Sequence, residues 1–475
     1  MSYEQETLAQ IRKDYDAGQE AGRKLVFDPE TRSVRVSGGT DDPDDLIRVR
    51  QSDLDMAFGE PAYPGVIVLD TDLVGKAEQN SGSSIELSMA YWPGEEVYSC
   101  FPAQSSTITV PGTLFIARGP GFIPISEIGS PADRIRVTLR ENGSAPDEAS
   151  GHRFQRWVPE GFVCNQGEWQ RCPVELIPME TELFSRHRGL FETNALADRS
   201  VLGVGLSSLG SPIVRKLAEA GVGHFGLIDG DRLEVGNIVR HEATLPHVGR
   251  YKTKFMESMI KGKNPYAKIT TWEEKLSWEN IDLFRELVRS HDLTILAIDE
   301  REGKVVANRI CLEEGKALII SGAARRAYAG HILFIRPGET LCYQCFLQQV
   351  PDIAKDEEVA NKAHAERLAY TDRPVPIEPG LSTDIAPISQ MVAKLAIQYL
   401  LKGRQTTLRT LDEDLVAPWF MWLNRREVGT DFENLKPLAY NVDGLHVLRW
   451  YGIKIPRDPH CPVCGQLEID PGTRD

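Results

Sequence analysis

The stretch VLGVGLSSLGSPIVRKLAEAGVGHFGLIDGDRLEVGNIVRHEATLPHVGRYK, residues 201–252, decides the fold of its domain. It predicts a strand over residues 200–204, a glycine-containing turn over residues 205–210, a helix that opens at Ser211, and a second apolar strand that delivers Asp229 to its carboxyl end. A turn of this kind aims helix N-terminal amides at a phosphate, and an acidic residue after the second strand suits a ribose hydroxyl. The sequence therefore predicts a nucleotide site.

The turn itself leaves the kind of nucleotide open. Gly205, Ser207 and Gly210 occupy it, and Asp229 lies 19 residues past Gly210, a spacing that also fits a dinucleotide fingerprint. Ser207 adds a Cβ where close approach of the backbone to a phosphate would favour glycine. The spacing does not give a G-x-S-x-G elbow, so a serine hydrolase is not implied.

Polar residues beyond the turn favour a triphosphate. Asn237, Arg240 and Lys252 lie between the second strand and the next helix, and Asp299 ends a later apolar strand. Cations neutralise phosphate charge and a carboxylate holds Mg²⁺, so this combination suits ATP with magnesium. Each of these residues taken alone could be a charged residue of an exposed loop without a role in binding. Their occurrence together makes that interpretation weaker than a nucleotide site.

Bulk properties exclude several functional classes. A chain of 475 residues with a net charge of −15 lacks the basic surface of a nucleic-acid-binding protein. The N-terminus has no signal-peptide pattern, and no apolar run reaches the roughly 20 residues of a membrane helix. We expect two or three domains in a cytoplasmic protein that binds neither nucleic acid nor membrane.

Composition shifts predict three segments. Residues 1–150 contain short β-type runs broken by Gly, Pro, Asp and Asn after an opening charged helix, which predicts a β-rich domain of unknown type, interpreted as a partner-recruitment domain. Residues 151–179 are interpreted as a linker or connecting segment. Residues 180–475 begin with a helical stretch over 180–196 and then alternate strands with helices, which predicts a mostly parallel, Rossmann-like sheet with helices on both faces.

Two CxxC pairs stand out among the eight cysteines. Four thiolates in such pairs make a tetrahedral structural zinc site, provided that the fold returns the C-terminal tail to the sheet. Redox-active or unpaired thiols are the alternatives. The predicted zinc ligands are Cys342, Cys345, Cys461 and Cys464.

From about residue 180 to its end the chain resembles the ThiF/MoeB family, the adenylating relatives of ubiquitin-activating enzymes. The resemblance rests on motifs in order: FSRH around Arg186, the glycine turn, LIDGD, EVGNIVR, VGRYK, AID with Asn308 nine residues on, SGAA, CYQC and CPVC. It favours ATP over NAD, because dehydrogenases have no reason to carry Arg240, Lys252, Asp299 and paired CxxC motifs together.

The resemblance implies a role for each matched residue. Asp229 would bind the ribose, while Asn237, Arg240 and Lys252 would contact the phosphates. Asp299 would hold Mg²⁺, and Asn308 would belong to the nucleotide site. Arg186 would reach into the ATP site of the partner subunit of a homodimer.

Departures from the family pattern concern the acyl acceptor. Residues 346–379, where ubiquitin-activating enzymes keep their thioester-forming cysteine, contain no cysteine. Cys100, Cys164 or Cys172 could substitute, although lone cysteines are more often small core residues. Otherwise the adenylate passes directly to a conjugating enzyme or a sulfur donor.

A further departure is Lys304, which stands where many members have arginine. Lysine keeps the charge but lacks the bidentate fork of the guanidinium.

The expected activity is ATP-dependent adenylation of the C-terminal glycine of a ubiquitin-like or sulfur-carrier protein, with pyrophosphate as the second product. Two alternatives stay open: adenylation of a peptide or small carboxylic acid, and a non-catalytic scaffold with the same fold. The fused N-terminal domain points to a specialised system, such as a bacterial ubiquitin-like conjugation or defence pathway.

Overall fold

The computed structural model describes residues 25–28, 33–36, 47–48, 65–79, 84–93, 95–101, 108–117, 129–141, 157–192, 194–349, 380–430, 432–438 and 443–465. The chain divides into two compact units, Met1–Met179 and Glu180–Asp475. The predicted opening helix and residues 350–379 of the cysteine-free segment 346–379 lie outside the described residues. Within the described ranges, no helix is both long and apolar enough to cross a bilayer.

The first unit is β-rich. A small antiparallel sheet contains β1 (Leu25–Asp28), β2 (Ser33–Val36) and β3 (Ile47–Arg48). A larger mixed sheet has the order β10-β9-β8-β7-β5-β6-β4-β11. Its strands are β4 (Val66–Asp70), β5 (Ser84–Trp92), β6 (Val97–Cys100), β7 (Thr109–Ala117), β8 (Ile135–Glu141), β9 (Trp157–Asn165), β10 (Glu168–Cys172) and β11 (Val174–Ile177).

The interpretation of residues 151–179 as a linker was wrong for the part of that segment that the structure describes. Strands β9, β10 and β11 belong to the large sheet of the first unit, where β9 pairs with β8 and β11 pairs in parallel with β4. The strands are hard to recognise in the sequence of this segment, because apolar and polar residues alternate only weakly along β9 and β10. The two strands join through a tight turn at Gly167, with φ +90°. Helix α1 (Asp72–Gln79) was also missed, and it buries Val74 and Ala77.

The second unit contains an eight-stranded sheet of order β14-β13-β12-β15-β16-β17-β18-β19. Five strands are parallel: β12 (Ser200–Val204), β13 (His224–Ile228), β14 (Lys268–Trp272), β15 (Leu293–Leu296) and β16 (Ala317–Ala323). The remaining three are antiparallel: β17 (Ala329–Ile335), β18 (Trp419–Leu423) and β19 (Arg449–Ile453). The predicted mostly parallel sheet is confirmed.

Helices join these strands in the expected rhythm. They are α2 (Met179–Glu182), α3 (Gly210–Glu219), α4 (Lys252–Lys263), α5 (Ile281–Ser290), α6 (Arg301–Glu313), α7 (Tyr343–Gln349) and α8 (Ser382–Leu400). The predicted helix over residues 180–196 was wrong beyond α2, since a 3-10 turn at Ser185–His187 follows and Gly189 adopts φ +89°. A left-handed residue of this kind ends a helix.

Apolar side chains of the parallel strands alternate between two cores, one on each face of the sheet. On β12, Val201 packs with residues of α3, α4 and α8, whereas Leu202 and Val204 pack with residues of α5, α6 and α7. Such two-sided burial makes parallel strands almost continuously apolar. It leaves the polar residues at the strand ends, so the carboxyl edge of the sheet is where a site can form.

Candidate nucleotide site

The glycine turn joins β12 to α3 at the carboxyl edge of the parallel strands. Gly205 adopts φ +84°, and a Cβ built on it would lie 2.4 Å from the carbonyl oxygen of Ala297. A Cβ on Gly210 would lie 1.9 Å from the carbonyl oxygen of Gly205. Neither position accepts a side chain without moving the backbone, so both glycines are required for the turn to close against the end of β15.

Ser207 is half-buried in this turn. Its carbonyl oxygen accepts hydrogen bonds from the backbone N–H and the hydroxyl of Ser211, at 2.9 and 2.8 Å. These two bonds close the first turn of α3. The serine therefore fits the turn through its backbone, and its extra Cβ does not prevent the turn from forming.

Asp229 follows β13 and is 9% exposed. One carboxylate oxygen, Oδ2, accepts the backbone N–H of Leu206 in the glycine turn at 2.7 Å, and Oδ1 accepts the N–H of Asp231 at 2.9 Å. A carboxylate oxygen has two acceptor positions, so both atoms keep capacity for a further donor such as a hydroxyl. The carboxylate thus fixes the turn and stays available to a ligand.

Lys252 begins α4 and is 6% exposed. Its ammonium lies 3.0 Å from Asp231 Oδ2 and 3.8 Å from Asp229 Oδ1. Burial alone would raise the pKa of the Asp231 carboxyl, but the ammonium groups of Lys252 and Lys275 hold that pKa below its usual value. These ion pairs place the ammonium group of Lys252 next to the glycine turn.

Asn237 and Arg240 lie in the connection between β13 and α4. The Oδ1 atom of Asn237 accepts the backbone N–H of Glu234 at 3.0 Å and closes a 3-10 turn, Val235–Asn237. Arg240 is half-buried, and its Nη1 atom lies 3.8 Å from the position a Cβ would take on Gly380, just before α8. The guanidinium therefore lies beside the N-terminal end of α8.

His241, which the sequence interpretation did not single out, fastens this connection to the glycine turn. Its Nδ1 atom accepts the N–H of Ala243 at 3.0 Å, so Nε2 carries the proton and donates to the carbonyl oxygen of Leu206 at 2.7 Å. Burial is the main cause that lowers the pKa of the imidazole. Because His241 follows Arg240 directly, the neutral ring positions the arginine relative to the turn.

Asp299 lies three residues beyond β15 and is exposed. Within the described ranges its carboxylate has no recorded hydrogen bond or ion pair, and Glu300 beside it begins α6 as the N-cap. An exposed carboxylate at the end of a parallel strand suits a hydrated Mg²⁺ ion, which usually keeps several water ligands and takes one or two carboxylates. The residue fits the predicted metal role, which stays a prediction.

Lys275, in the loop after β14, is a second cation that the sequence did not reveal. Its ammonium lies 3.1 Å from Asp231 Oδ1 and 3.9 Å from Glu300 Oε1. Partial burial alone would lower the pKa of this ammonium. The hydrogen bond to Asp231 and the charges of Asp231, Glu300 and Asp229 raise it by more, so the pKa lies above its usual value. Asp231 is visible in LIDGD, whereas no motif marks Lys275.

Arg186 lies in the 3-10 turn Ser185–His187 and is exposed. In the part of the chain that the structure describes, no ion pair or hydrogen bond of its guanidinium is recorded. Next to it, His187 packs between Phe184 and Phe191, with ring centroids 5.7 and 5.2 Å apart. The aromatic packing fixes the turn, which leaves the arginine directed outward and its role in a partner subunit a prediction.

Asn308 lies on α6 and is 3% exposed. Its Oδ1 atom accepts the backbone N–H of Tyr343 at 2.9 Å, at the first residue of α7. This bond connects the asparagine to the helix that carries Cys345. Its recorded contact is thus with the cysteine centre, and its place in the nucleotide site stays a prediction.

The four predicted zinc ligands converge. Their Sγ atoms all lie within 4.8 Å of one another, with Cys342 at 3.7 Å from Cys461 and Cys345 at 3.3 Å from Cys464. Thiolates around tetrahedral zinc are about 3.8 Å apart, given a Zn–S distance of about 2.3 Å. All four side chains are buried, and burial raises the pKa of the Cys342 and Cys345 thiols. Four buried thiols at this spacing fit a zinc ion, which would neutralise them as thiolates.

The proposed substitutes for a thioester cysteine lie in the first unit. Burial raises the pKa of the Cys172 thiol to about 12, and its Sγ donates to the carbonyl oxygen of Gly65 at 2.9 Å. Burial also raises the pKa of Cys100. Neither thiol has the lowered pKa of a nucleophilic cysteine. Cys164 is half-buried on β9.

At the carboxyl edge of the sheet, then, the structure brings together the glycine turn, Asp229, Lys252 and the connection that carries Arg240, and it adds His241 and Lys275. Asn308 bonds to the backbone of Tyr343 on α7, and within the described residues Arg186 has no recorded contact to this edge, so the roles of both in the nucleotide site stay predictions. His241 could have been found as the polar residue after Arg240 in the EVGNIVR motif. This arrangement places cations and carboxylates beside the glycine turn at one edge of the sheet.

Curated proteins are similar to part of this chain. Adenylyltransferase and sulfurtransferase UBA4 of Lodderomyces elongisporus is 30% identical over 202 residues, 40% of this chain and 43% of that protein. Ubiquitin-like modifier-activating enzyme 5 of Dictyostelium discoideum is 26% identical over 212 residues, 43% of this chain and 53% of that protein. The chain thus spans about half the length of these relatives.

A solved structure of E. coli MccB with MccA-N7isoASN has a TM-score of 0.42 and 16% identity, over 57% of this chain and 69% of that one. The model of the ThiF family matches residues 182–420, half of the chain. The match includes the glycine turn, both lysines of the site, Asp229, Arg240 and Asp299. The chain belongs to the ThiF family.

Proposed function

We propose that the protein adenylates the C-terminal glycine carboxylate of a ubiquitin-like or sulfur-carrier protein with ATP. The observation that carries the proposal is the contact of the buried Lys252 side chain with Asp229 and Asp231 beside the glycine turn. Such a turn with an adjacent buried cation suits a nucleoside triphosphate. Membership of the ThiF family and relatives named as adenylyltransferase and activating enzymes support adenylation as the reaction.

In the proposed reaction a carboxylate oxygen of the carrier attacks the α-phosphorus of ATP. A bond forms between that oxygen and phosphorus, the bond from the α-phosphorus to the bridging oxygen breaks, and pyrophosphate leaves with its electron pair. No protein nucleophile is needed, so catalysis consists of positioning and charge neutralisation.

The residues of this chain have distinct parts in that reaction. Asp229 accepts hydrogen bonds from the ribose hydroxyls while it holds Leu206 of the turn. Lys252, Arg240 and Asn237 meet the phosphates, and the two cations neutralise the charge that develops on pyrophosphate. Asp299 would hold Mg²⁺, which neutralises phosphate charge when bound.

The cysteine centre has a structural part in this proposal. Four thiolates leave no open ligand position, so a zinc ion there would tie α7 to the C-terminal segment and perform no chemistry. Asn308 on α6 supports the start of α7 by accepting the backbone N–H of Tyr343.

The acyl-adenylate is proposed to pass directly to a separate acceptor, a conjugating enzyme or a sulfur donor. The segment 346–379 contains no cysteine, and the pKa values of Cys100 and Cys172 are raised by burial. The first unit is proposed to recruit the carrier or that acceptor. This two-part organisation suits a bacterial ubiquitin-like conjugation or defence pathway.

A homodimer is proposed as the active form. Val235, Val239 and Leu245 in the connection that carries Arg240 are 66%, 79% and 65% exposed. Large apolar residues clustered on one exposed segment mark protein interfaces. With this face buried against a second copy, the outward-directed Arg186 is able to reach the partner's nucleotide.

Exchange of labelled pyrophosphate into ATP, measured with small candidate carriers that end in glycine, tests the reaction. We expect exchange that depends on the carrier and on Mg²⁺. A short peptide or small acid that supports exchange where carriers do not would assign the substrate to that class instead. Absence of ATP binding by calorimetry would favour the scaffold alternative.

Mixing two variants tests the dimer. We expect Arg186→Ala and Asp299→Ala each to lose exchange, and their mixture to recover about a quarter of it, because half of randomly mixed dimers have one intact site. No recovery after co-expression of the two chains contradicts an Arg186 that acts on the partner subunit.

A further inference from the structure

Lys275 reaches across the carboxyl edge of the sheet to residues of two other strands. Its loop follows β14, yet its ammonium contacts Asp231 after β13 at 3.1 Å and Glu300 after β15 at 3.9 Å. Strand β12, which leads into the glycine turn, lies between β13 and β15. Lys275 therefore bridges the two strand ends on either side of that turn.

Asp231 is shared between two cations. Its Oδ2 atom lies 3.0 Å from the Lys252 ammonium, and its Oδ1 atom lies 3.1 Å from the Lys275 ammonium. A phosphate that binds at the turn competes with Asp231 for the Lys252 ammonium. The counter-ion left to Asp231 when Lys252 turns away is Lys275.

We propose that Lys275 is a positioning residue that neutralises Asp231 and thereby releases Lys252 to the triphosphate. The inference rests on the proposed function of this site. It assigns to Lys275 an effect on nucleotide affinity that acts through Asp231, without contact between Lys275 and the nucleotide.

The charges around the turn explain why this release matters. Two lysines, Lys252 and Lys275, face the carboxylates of Asp229, Asp231 and Glu300. Without Lys275, Asp231 would hold Lys252 more firmly, because an isolated acid binds its remaining counter-ion more strongly.

The substitution Lys275→Met tests the proposal, since methionine keeps the apolar stem and removes the charge. In the pyrophosphate exchange assay we expect the KM for ATP to rise roughly threefold to tenfold, at the low end of the coupling between contacting residues, with little change in kcat. Lys275→Arg should retain a KM near that of the unaltered protein. An unchanged KM in Lys275→Met overturns the inference.

Lys254→Met is the matched control. Lys254 lies on α4 with a half-exposed side chain, and it pairs with Glu257 and Glu273, away from Asp231. We expect its KM for ATP to match that of the unaltered protein. An equal rise in both variants would mean that any lost lysine charge weakens ATP binding, and would overturn a specific role for Lys275.

A double-mutant cycle distinguishes release of Lys252 from direct contact with ATP. In a protein that already carries Asp231→Asn there is no acid to neutralise, so Lys275→Met should change the KM less than about twofold. Additive effects would show that Lys275 acts on the nucleotide itself and would overturn the proposal. Exchange by the unaltered protein is measured first, since its absence would remove the proposed function before any variant is compared.

Discussion

The Nε2 atom of His241 donates a hydrogen bond of 2.7 Å to the carbonyl oxygen of Leu206 and ties the Arg240 connection to the glycine turn. The same ring accepts the N–H of Ala243 through Nδ1. Both bonds require the neutral imidazole with its proton on Nε2, because a proton on Nδ1 would meet the N–H of Ala243. Burial lowers the pKa of His241, and Asp229, Glu242 and Lys252 are the charged groups around it.

The first prediction concerns stability below neutral pH. The pKa of His241 is lower in the folded chain than the ordinary 6.5, so the unfolded chain takes up a proton first as the pH falls. The stabilisation is therefore present above about pH 6.5 and is lost as the pH falls through the folded pKa. Thermal unfolding from pH 8 to pH 5 measures this loss, to which His187 and His291 contribute in the same direction.

Two substitutions isolate the His241 contribution. His241→Gln keeps an amide donor for Leu206 and removes the titrating group, so the loss of stability with falling pH should become shallower. His241→Ala leaves the Leu206 carbonyl and the Ala243 N–H without partners and should cost about 1–3 kcal/mol at pH 8. Identical pH slopes in the glutamine variant and the unaltered protein would exclude this assignment.

The second prediction concerns the two glycines of the turn. Gly205→Ala and Gly210→Ala should raise the KM for ATP more than about tenfold or abolish exchange, because each new Cβ would collide with a backbone oxygen at 2.4 or 1.9 Å. Gly262→Ala on α4 is the control, since no atom beyond its chain neighbours and its own helix backbone lies within 4 Å of its Cβ position. It should stabilise the fold by about 0.5–1 kcal/mol. Normal exchange by Gly210→Ala would contradict the described turn.

The sequence predicted the site residues that lie within a recognisable motif and missed those that lie outside one. The alternation of strands with helices and the clustered motifs placed the glycine turn, Asp229 and Lys252 together, because parallel strands end at one edge of a sheet. Lys275 was missed because its position depends on the loop after β14, which brings its side chain to the residues that follow β13 and β15. No local pattern encodes such a long-range ion pair.

Other failures have the same origin in long-range packing. The strands over residues 157–177 were interpreted as a linker because only their pairing with β8 and β4 shows that they belong to the first unit's sheet. The bond of Asn308 with the backbone of Tyr343 depends on the packing of α6 against α7, which no motif encodes, and its place in the nucleotide site stays a prediction. The predicted convergence of the two CxxC pairs is confirmed, because this spacing is typical of cysteines that share one metal site.

The third prediction concerns Asp299. Asp299→Asn should remove most of the Mg²⁺-dependent exchange without affecting the thermal unfolding midpoint, since the carboxylate is exposed and has no recorded ion pair in the described ranges. Glu413→Gln, another exposed acid of the second unit, should behave like the unaltered protein. The measurement is a titration of exchange rate against Mg²⁺. A variant whose magnesium dependence is unchanged would exclude Asp299 as a ligand.

The fourth prediction concerns the cysteine centre, which connects α7 to the C-terminal segment through Cys461 and Cys464. We expect about one zinc ion per chain by metal analysis, and Cys461→Ser should lose that ion and unfold at a lower temperature, since structural zinc binding contributes directly to folding. Cys164→Ser, on β9 of the first unit, should keep the zinc and the midpoint. A chelator should lower the midpoint of the unaltered protein toward that of Cys461→Ser and leave the variant unchanged, because the variant has no ion to lose. Full zinc content in Cys461→Ser would mean that the ion is bound elsewhere.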